Sequence, residues 1–277
     1  MSRLLPAPSR PTVAGLLLAL ALAGCTPDAS TGPSSLPTVP AGSLFTTLHE
    51  ASTMTGVVTQ PMNPANVAGW SYYTTTVTFG TDAAGPLSPN SFGRMTYPKG
   101  FAGGRAPGTT SSTSFSGRGY KEIYVRAGVR LSSNFYGHPS ATNKFLHFWS
   151  YGPQANRVFL SFEGVGTGAL NLQVRCQGSP DDSKCGHLKA NTGSSAAIAR
   201  GKWNVIEVRL RVNTMGQSNG IVEVWVNGIR THYYTNIRLD VGGWGIVSWS
   251  PTWGGVGSTV PAAQTMDLED LKVSGKP

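Results

Sequence analysis

One stretch near the end of the chain constrains the fold most, because both strands of a hairpin can be read in residues 201–228. The apolar positions of the first run alternate with charged or amide residues: Ile206, Val208, Leu210 and Val212. The second run alternates in the same way: Val222, Val224 and Val226. Asn227-Gly228 then supplies the positive φ angles that a tight turn requires. A period of two predicts strands that pack one face on a core.

Similar patterns along the chain predict an all-β domain. Few stretches resemble a helix, and 35 glycines and 19 prolines indicate many turns. Further strands are predicted near residues 70–80, 92–97, 120–131, 143–151, 157–163, 169–176 and 265–274, and an aromatic loop over 243–254. Roughly a dozen strands without internal repeats favour an antiparallel two-sheet β-sandwich or jelly roll over a propeller.

The N-terminus has the pattern of an export signal. Arg3 and Arg10 flank the start of an apolar run, residues 13–23, that is too short to span a membrane. It ends in Leu22-Ala23-Gly24-Cys25, which resembles the lipobox of bacterial lipoproteins and implies that Cys25 is lipidated. An ordinary secretory signal with a chance cysteine is the alternative.

This interpretation divides the chain into a signal peptide (1–24), a flexible tether rich in Pro, Ser, Thr and Gly (25–42) and a single jelly-roll domain (43–277). We expect an exported protein that contacts the membrane only through its lipid anchor. In a Gram-negative cell, Thr26 after the cysteine favours the outer membrane.

Two cysteines remain in the predicted domain. Cys176 and Cys185 flank a polar loop, and an oxidising compartment favours a disulfide between them. A two-ligand metal site is the alternative.

The charge balance favours polyanionic partners. The net charge is +9, and removal of the signal leaves 20 basic and 13 acidic residues. Such partners include uronate polysaccharides, nucleic acid, lipopolysaccharide and peptidoglycan-associated polymers, with general solubility as the alternative. Because the charges are dispersed, the pattern argues against nucleic acid. We expect a monomer.

Several segments together resemble a known group: Glu122-x-Tyr124-Val125-Arg126, Gly137-His138-Pro139-Ser140, Gly201-Lys202-Trp203 and Met266-Asp267-x-x-Asp270. Over about residues 65–275 they resemble the concanavalin-A-like (LamG-like) jelly-roll superfamily. Within it they are most similar to bacterial proteins related to alginate, glucuronan and heparin lyases. The resemblance implies β-elimination on a uronate polysaccharide. A non-catalytic, lectin-like surface lipoprotein is the alternative, and an envelope structural or adhesion protein is a third.

A lyase must neutralise the uronate carboxylate, remove the C5 proton and protonate the leaving oxygen. The resemblance and the strand faces suggest the following catalytic residues: His147, Tyr136, Arg126 and Tyr124. The candidate substrate-binding residues are Arg130, Lys144, His138, Asn143, Glu122, Trp225 and Trp249. Each also has a structural interpretation: His147 as a hydrogen-bonded, partly buried side chain, Arg126 and Glu122 as cross-strand partners, and the tryptophans as core caps.

No cofactor is required for this chemistry. Asp267 and Asp270 on the last predicted strand suggest a structural calcium ion, which prefers hard oxygen ligands. The sequence contains no Gly-x-Ser-x-Gly elbow, His-Glu-x-x-His pair or phosphate loop, so serine hydrolases, zinc proteases and nucleotide enzymes have no support.

Overall fold

The computed structural model describes residues 49, 54–60, 62, 70–72, 77–87, 91–112, 119–150, 157–180 and 182–276. The predicted signal peptide and tether, with the lipidation site Cys25, lie outside the described residues. Among those that are described, no helix is both long enough and apolar enough to cross a bilayer.

The described residues form strands and one short helix. The strands are β1 Thr55–Gln60, β2 Trp70–Tyr72, β3 Val77–Thr81, β4 Ser91–Tyr97, β5 Thr110–Ser112, β6 Glu122–Leu131, β7 Thr142–Ser150, β8 Arg157–Glu163, β9 Leu170–Gln177, β10 Ala197–Ile198, β11 Trp203–Arg211, β12 Gly220–Val226, β13 Ile229–Ile237, β14 Trp244–Trp249 and β15 Gln264–Lys276. The helix is α1, Asp182–Cys185.

The strands build two antiparallel sheets, as predicted. The first has the order β13-β12-β11-β6-β15-β4-β3, and β1 pairs with the far half of β15. The second has the order β10-β9-β8-β7-β14-β5-β2. The chain therefore folds as the expected jelly-roll sandwich.

The opening hairpin of the sequence lies in the first sheet. β11 and β12 pair with Val208 opposite Val224, and both side chains are buried in the core. Asn227 and Gly228 have φ angles of 51° and 80°, the left-handed values predicted for this turn, and they join β12 to β13. The apolar alternation and the turn chemistry are both confirmed.

Two strand predictions need correction. The run predicted as a single strand over residues 70–80 contains β2 and β3, which belong to different sheets. The predicted aromatic loop contains β14, whose Trp244 and Trp249 are completely buried. In β14 nearly every residue is buried, so the sequence shows no period of two there.

The predicted disulfide between Cys176 and Cys185 is confirmed. It joins the end of β9 to α1 and so closes the polar loop between them. Both cysteine side chains are buried in the core. We call the face of a sheet that is turned away from the other sheet its outer face.

Candidate functional site

The outer face of the first sheet holds a network of ion pairs around Asp267 on β15. This carboxylate is 1% exposed and accepts hydrogen bonds from Arg94 (Nε to Oδ1, 2.7 Å) and Arg130 (Nε to Oδ2, 2.9 Å). Arg130 also pairs with Asp82, and its guanidinium lies 4.5 Å from the centroid of the Trp203 ring. Burial of Asp267 is therefore offset by two guanidinium groups.

The same face continues with paired charges on β6 and its neighbours. Arg126 donates to Asp270 at 2.5 Å, and the Tyr124 hydroxyl donates to Glu207. Arg209 lies between two carboxylates, since it donates to Glu122 on β6 and at 3.2 Å to Glu223 on β12. The cross-strand pairing considered for this face from the sequence is thus present, with Arg209 as the partner of Glu122.

Other chain segments cover this face. The His49 ring stacks on Trp225 with centroids 4.5 Å apart, and Trp225 is only 6% exposed. Leu87 is buried as well, and its backbone N–H donates to Glu269 on β15. Burial raises the pKa of Glu269 to about 7, with a further contribution from Asp270. A polymer could reach Trp225 and Glu269 only by displacing these residues.

Asp267 and Asp270, proposed as calcium ligands, therefore have arginine partners. Among the described residues, no group of three or more His, Cys, Asp or Glu side chains is placed to hold a metal ion. The calcium ion stays a prediction. To bind it, Asp267 and Asp270 would have to give up their ion pairs with the arginines.

The outer face of the second sheet brings together Lys144 and His147 on β7. These residues are three positions apart, and a regular strand would place them on opposite faces. A bulge between Lys144 and Leu146 changes the register, so that Lys144 lies opposite Ser161 and His147 opposite Phe159 on β8. The extra residue, Phe145, turns inward and stacks on Phe162 in the core.

A cavity of about 340 Å³ opens on this face. Lys144 and Arg175 line it, and the Lys144 ammonium lies 4.9 Å from the centroid of the Phe159 ring. Arg175 on β9 donates from Nη2 to Glu163 at 3.0 Å, and Ser161 holds the other oxygen of Glu163 at 2.5 Å. We call Lys144, His147, Phe159, Glu163 and Arg175 the second-sheet site.

His147 lies beside the cavity, opposite Phe159 on β8. Its ring stacks against Phe159 at 5.6 Å and against Trp149 at 5.9 Å, measured between centroids. It is 4% exposed. The imidazole is thus held between two aromatic rings and is almost completely buried.

The loop before β7 borders the site and holds its own predicted residues. His138 is buried, and its Nδ1 lies 2.8 Å from the Ser140 hydroxyl, which lines the cavity. Burial lowers the pKa of His138, which favours the neutral ring. Asn143 accepts from the His138 backbone N–H at 3.0 Å and donates to the Phe162 carbonyl at 2.8 Å, so it fastens the loop to β8.

Tyr136 lies in the same loop, where it packs against the core and its carbonyl accepts from the Trp253 indole at 2.8 Å. No described tyrosine lines the 340 Å³ cavity. Trp249 is completely buried between the sheets. The structure therefore divides the sequence-derived candidates: Lys144 and His147 share one site, His138 and Asn143 support its border, and Glu122, Tyr124, Arg126, Arg130 and Trp225 lie on the other sheet.

Sequence reasoning missed Arg175, Glu163 and Phe159. The signal was present in β9, where Asn171, Gln173 and Arg175 alternate with buried apolar residues. That alternation marks an outward polar face as clearly as the one on β6. The choice between the two sheets depends on which face other segments cover, and no local pattern encodes this.

Comparison with solved structures gives the fold. A PL-14 alginate lyase from Aplysia kurodai matches with a TM-score of 0.57 and 14% identity, covering 79% of this chain and 98% of that chain. The fold is that of polysaccharide lyases. A mutant of alginate lyase Aly36B in complex with alginate trisaccharide matches with a TM-score of 0.56 and 15% identity, over 80% of this chain and 98% of that one.

A third match, the endo-β-1,4-glucuronan lyase of the fungus Trichoderma reesei, has a TM-score of 0.52 and 14% identity and covers 80% of this chain and 96% of that chain. Neither a family model nor a curated protein matches the sequence. At these identities the shared fold carries no residue assignments, so the site must be argued from its own geometry.

Proposed function

We propose that the protein is a carbohydrate-active, polysaccharide-lyase-like protein that cleaves an acidic polysaccharide by β-elimination at the second-sheet site. The observation that carries the proposal is the open cavity lined by Lys144 and Arg175, with His147 beside it on β7. Cations at a surface cavity attract uronate carboxylates. The lyase fold supports this assignment.

The residues of the site can be given roles that balance the reaction. Arg175 neutralises the uronate carboxylate, since its Nη2 is used on Glu163 and its Nη1 remains to donate. Neutral His147 removes the C5 proton, and the electron pair forms the C4–C5 double bond. The C4–O4 bond breaks, and the Lys144 ammonium protonates the leaving O4.

A non-catalytic, glycan-binding function is the second candidate. The burial of His147 favours it, because a base that is 4% exposed must be uncovered before it can reach C5. This function would use the same cations and the same cavity to hold the polymer without cleaving it.

The test is incubation with alginate, glucuronan and heparin while the absorbance of the unsaturated product is followed. A rise with one of these polymers supports the lyase. Binding to one of them without any rise supports the glycan-binding function, and neither binding nor a rise refutes both.

Variants assign the chemistry to residues. We expect His147→Gln and Lys144→Met each to reduce turnover by at least about 100-fold, as loss of a general acid or base does. The matched controls are His187→Gln and Lys189→Met, which change exposed residues outside the second-sheet site. Equal losses in the controls would show a general effect of charge and refute the assigned roles.

We also propose that the protein is exported and lipid-anchored in the cell envelope through Cys25. The support is the sequence Leu22-Ala23-Gly24-Cys25 behind a short apolar run. Labelling of expressing cells with radioactive palmitate should mark the wild type and leave Cys25→Ala unlabelled. Equal labelling of both would refute the anchor.

A further inference from the structure

A second cavity lies at the end of the sandwich where β6 begins and β11 ends. Its volume is about 440 Å³, within the range of small-molecule sites. Lys121 precedes β6, Arg211 ends β11, and the loop after β11 closes the cavity with Met215. It shares no lining residue with the cavity of the second-sheet site.

The two cations of this cavity lack carboxylate partners among the described residues. Lys121 donates from Nζ to the Gly242 carbonyl, and Arg211 donates from Nη2 to the Asn219 carbonyl at 3.3 Å. Each contact satisfies one N–H donor of the cation, but the neutral carbonyl group does not compensate the positive charge. On the same sheet, Arg94, Arg126, Arg130, Arg209 and Arg230 each have a carboxylate within 4.0 Å.

The carboxylates around the cavity are already used. Glu122 lies opposite Arg211 in the strand register, but its carboxylate accepts from Arg209. Asp240 accepts from the Asn213 amide at 2.7 Å and from Arg238 at 2.7 Å. Burial raises the pKa of Asp240, but these hydrogen bonds outweigh it and lower the pKa, so the carboxylate stays ionised and paired. The cavity therefore keeps a net positive charge.

The rest of the lining suits a sugar ring. Val212, Val241 and the exposed Met215 side chain provide an apolar surface beside the cations, and Asn213 and Asn219 form the polar part of the loop. A free phosphate needs cations and N–H donors, whereas a pyranose carboxylate also needs an apolar surface for its C–H groups.

We propose that this cavity is a second saccharide-binding site, which takes one uronate residue with its carboxylate between Lys121 and Arg211. The site does not depend on catalysis at the second-sheet site. It would let the protein hold an acidic polymer at two places and so raise the apparent affinity for long chains over short ones.

Met215 provides a local probe, since its methyl group can be observed in the protein labelled with ¹³C-methyl methionine and assigned with Met215→Leu. A mannuronate tetrasaccharide should shift this signal to saturation, while cellotetraose should not. Arg211→Gln and Lys121→Gln should each weaken the response by about tenfold, the effect of one charge-assisted contact. Lys202→Gln, at the opposite end of β11, is the control and should leave it unchanged.

Two comparisons make the proposal falsifiable. The Met215 shift should persist in Lys144→Met, and its loss there would mean that the cavity is no independent site. Inorganic phosphate is the second comparison, and a shift with phosphate but none with the tetrasaccharide would overturn the assignment to a uronate. An unchanged response in both Arg211→Gln and Lys121→Gln would overturn it as well.

Discussion

The outer faces of the two sheets both carry arginines beside carboxylates, but they differ in what covers them. On the first sheet, Asp267 is 1% exposed between two arginines, and the His49 and Leu87 segments lie over its neighbours. On the second sheet, Arg175 and Lys144 line an open cavity. Judged by its charged residues alone, the first sheet would be the better candidate for a polysaccharide-binding site.

The difference shows that a charged strand face is informative about binding only when its charges remain accessible. In the first sheet the arginines each have a carboxylate partner and the charges neutralise one another, which makes them part of the structure. In the second sheet Lys144 and Arg175 line an open cavity that a ligand can enter. The following predictions test this division, in order of decreasing effect.

Asp267→Ala should destabilise the fold most. It leaves Arg94 and Arg130 without their shared carboxylate, and we expect a loss of about 3 kcal/mol in the free energy of unfolding, measured with urea. Glu163→Ala is the counterpart on the second sheet and should cost about 1 kcal/mol, because Glu163 is less buried than Asp267 and pairs with one arginine rather than two. Equal losses would contradict the division between the faces.

Glu269 should make stability fall as pH rises. Burial raises its pKa from 4.5 to about 7, so its stabilising contribution is complete below the unfolded value and is lost as pH rises through the folded value. Over that window we expect a loss of up to about 3 kcal/mol. Urea unfolding at about pH 5 and about pH 8 measures it.

Glu269→Gln should remove most of this pH dependence, because the neutral amide replaces a carboxyl group that the fold holds protonated. Glu163→Gln, which changes a carboxylate on the other face, should retain it. If both variants keep the wild-type slope, another group titrates in this window.

The disulfide should matter for stability and slightly for binding. Cys176 and Cys185 are 9 positions apart, and a loop of this size predicts a loss of about 2–3 kcal/mol on removal. Because Cys176 and Gly186 line the cavity of the second-sheet site, the Cys176→Ser/Cys185→Ser variant should also bind uronate oligosaccharides a few times more weakly. Unchanged unfolding and unchanged affinity would show that the loop is held by other contacts.

The fold was predictable because its determinants are local. Alternation in β6, β11 and β12 and the Asn227-Gly228 turn specify strands and a hairpin from neighbouring residues alone. The site was predictable only in part. Lys144 and His147 were identified as candidates from their residue types. That they share one face depends on the bulge at Phe145, which the alternation of apolar and polar residues does not reveal.

Residues distant in sequence decide the rest of the site. Arg126 and Arg130 are of the residue type that binds a uronate carboxylate. They do not serve this role because they pair with Asp270 and Asp267, which lie about 140 positions away in the chain. Arg175 lies on an equally polar strand face, but it is opposite Phe159 in the β8–β9 register and lines an open cavity. The partners of a charged strand face are therefore set by residues distant in the sequence, which meet only in the folded sandwich.

The most direct test of the account compares one cation from each face. Lys144→Met and Arg230→Met are made in an Arg211→Gln background, so that the second cavity does not contribute, and the affinity for a mannuronate tetrasaccharide is measured by calorimetry. We predict a loss of about tenfold for Lys144→Met and no change for Arg230→Met, whose partner is Glu223. A loss confined to Arg230→Met would place the binding site on the first sheet and contradict the account.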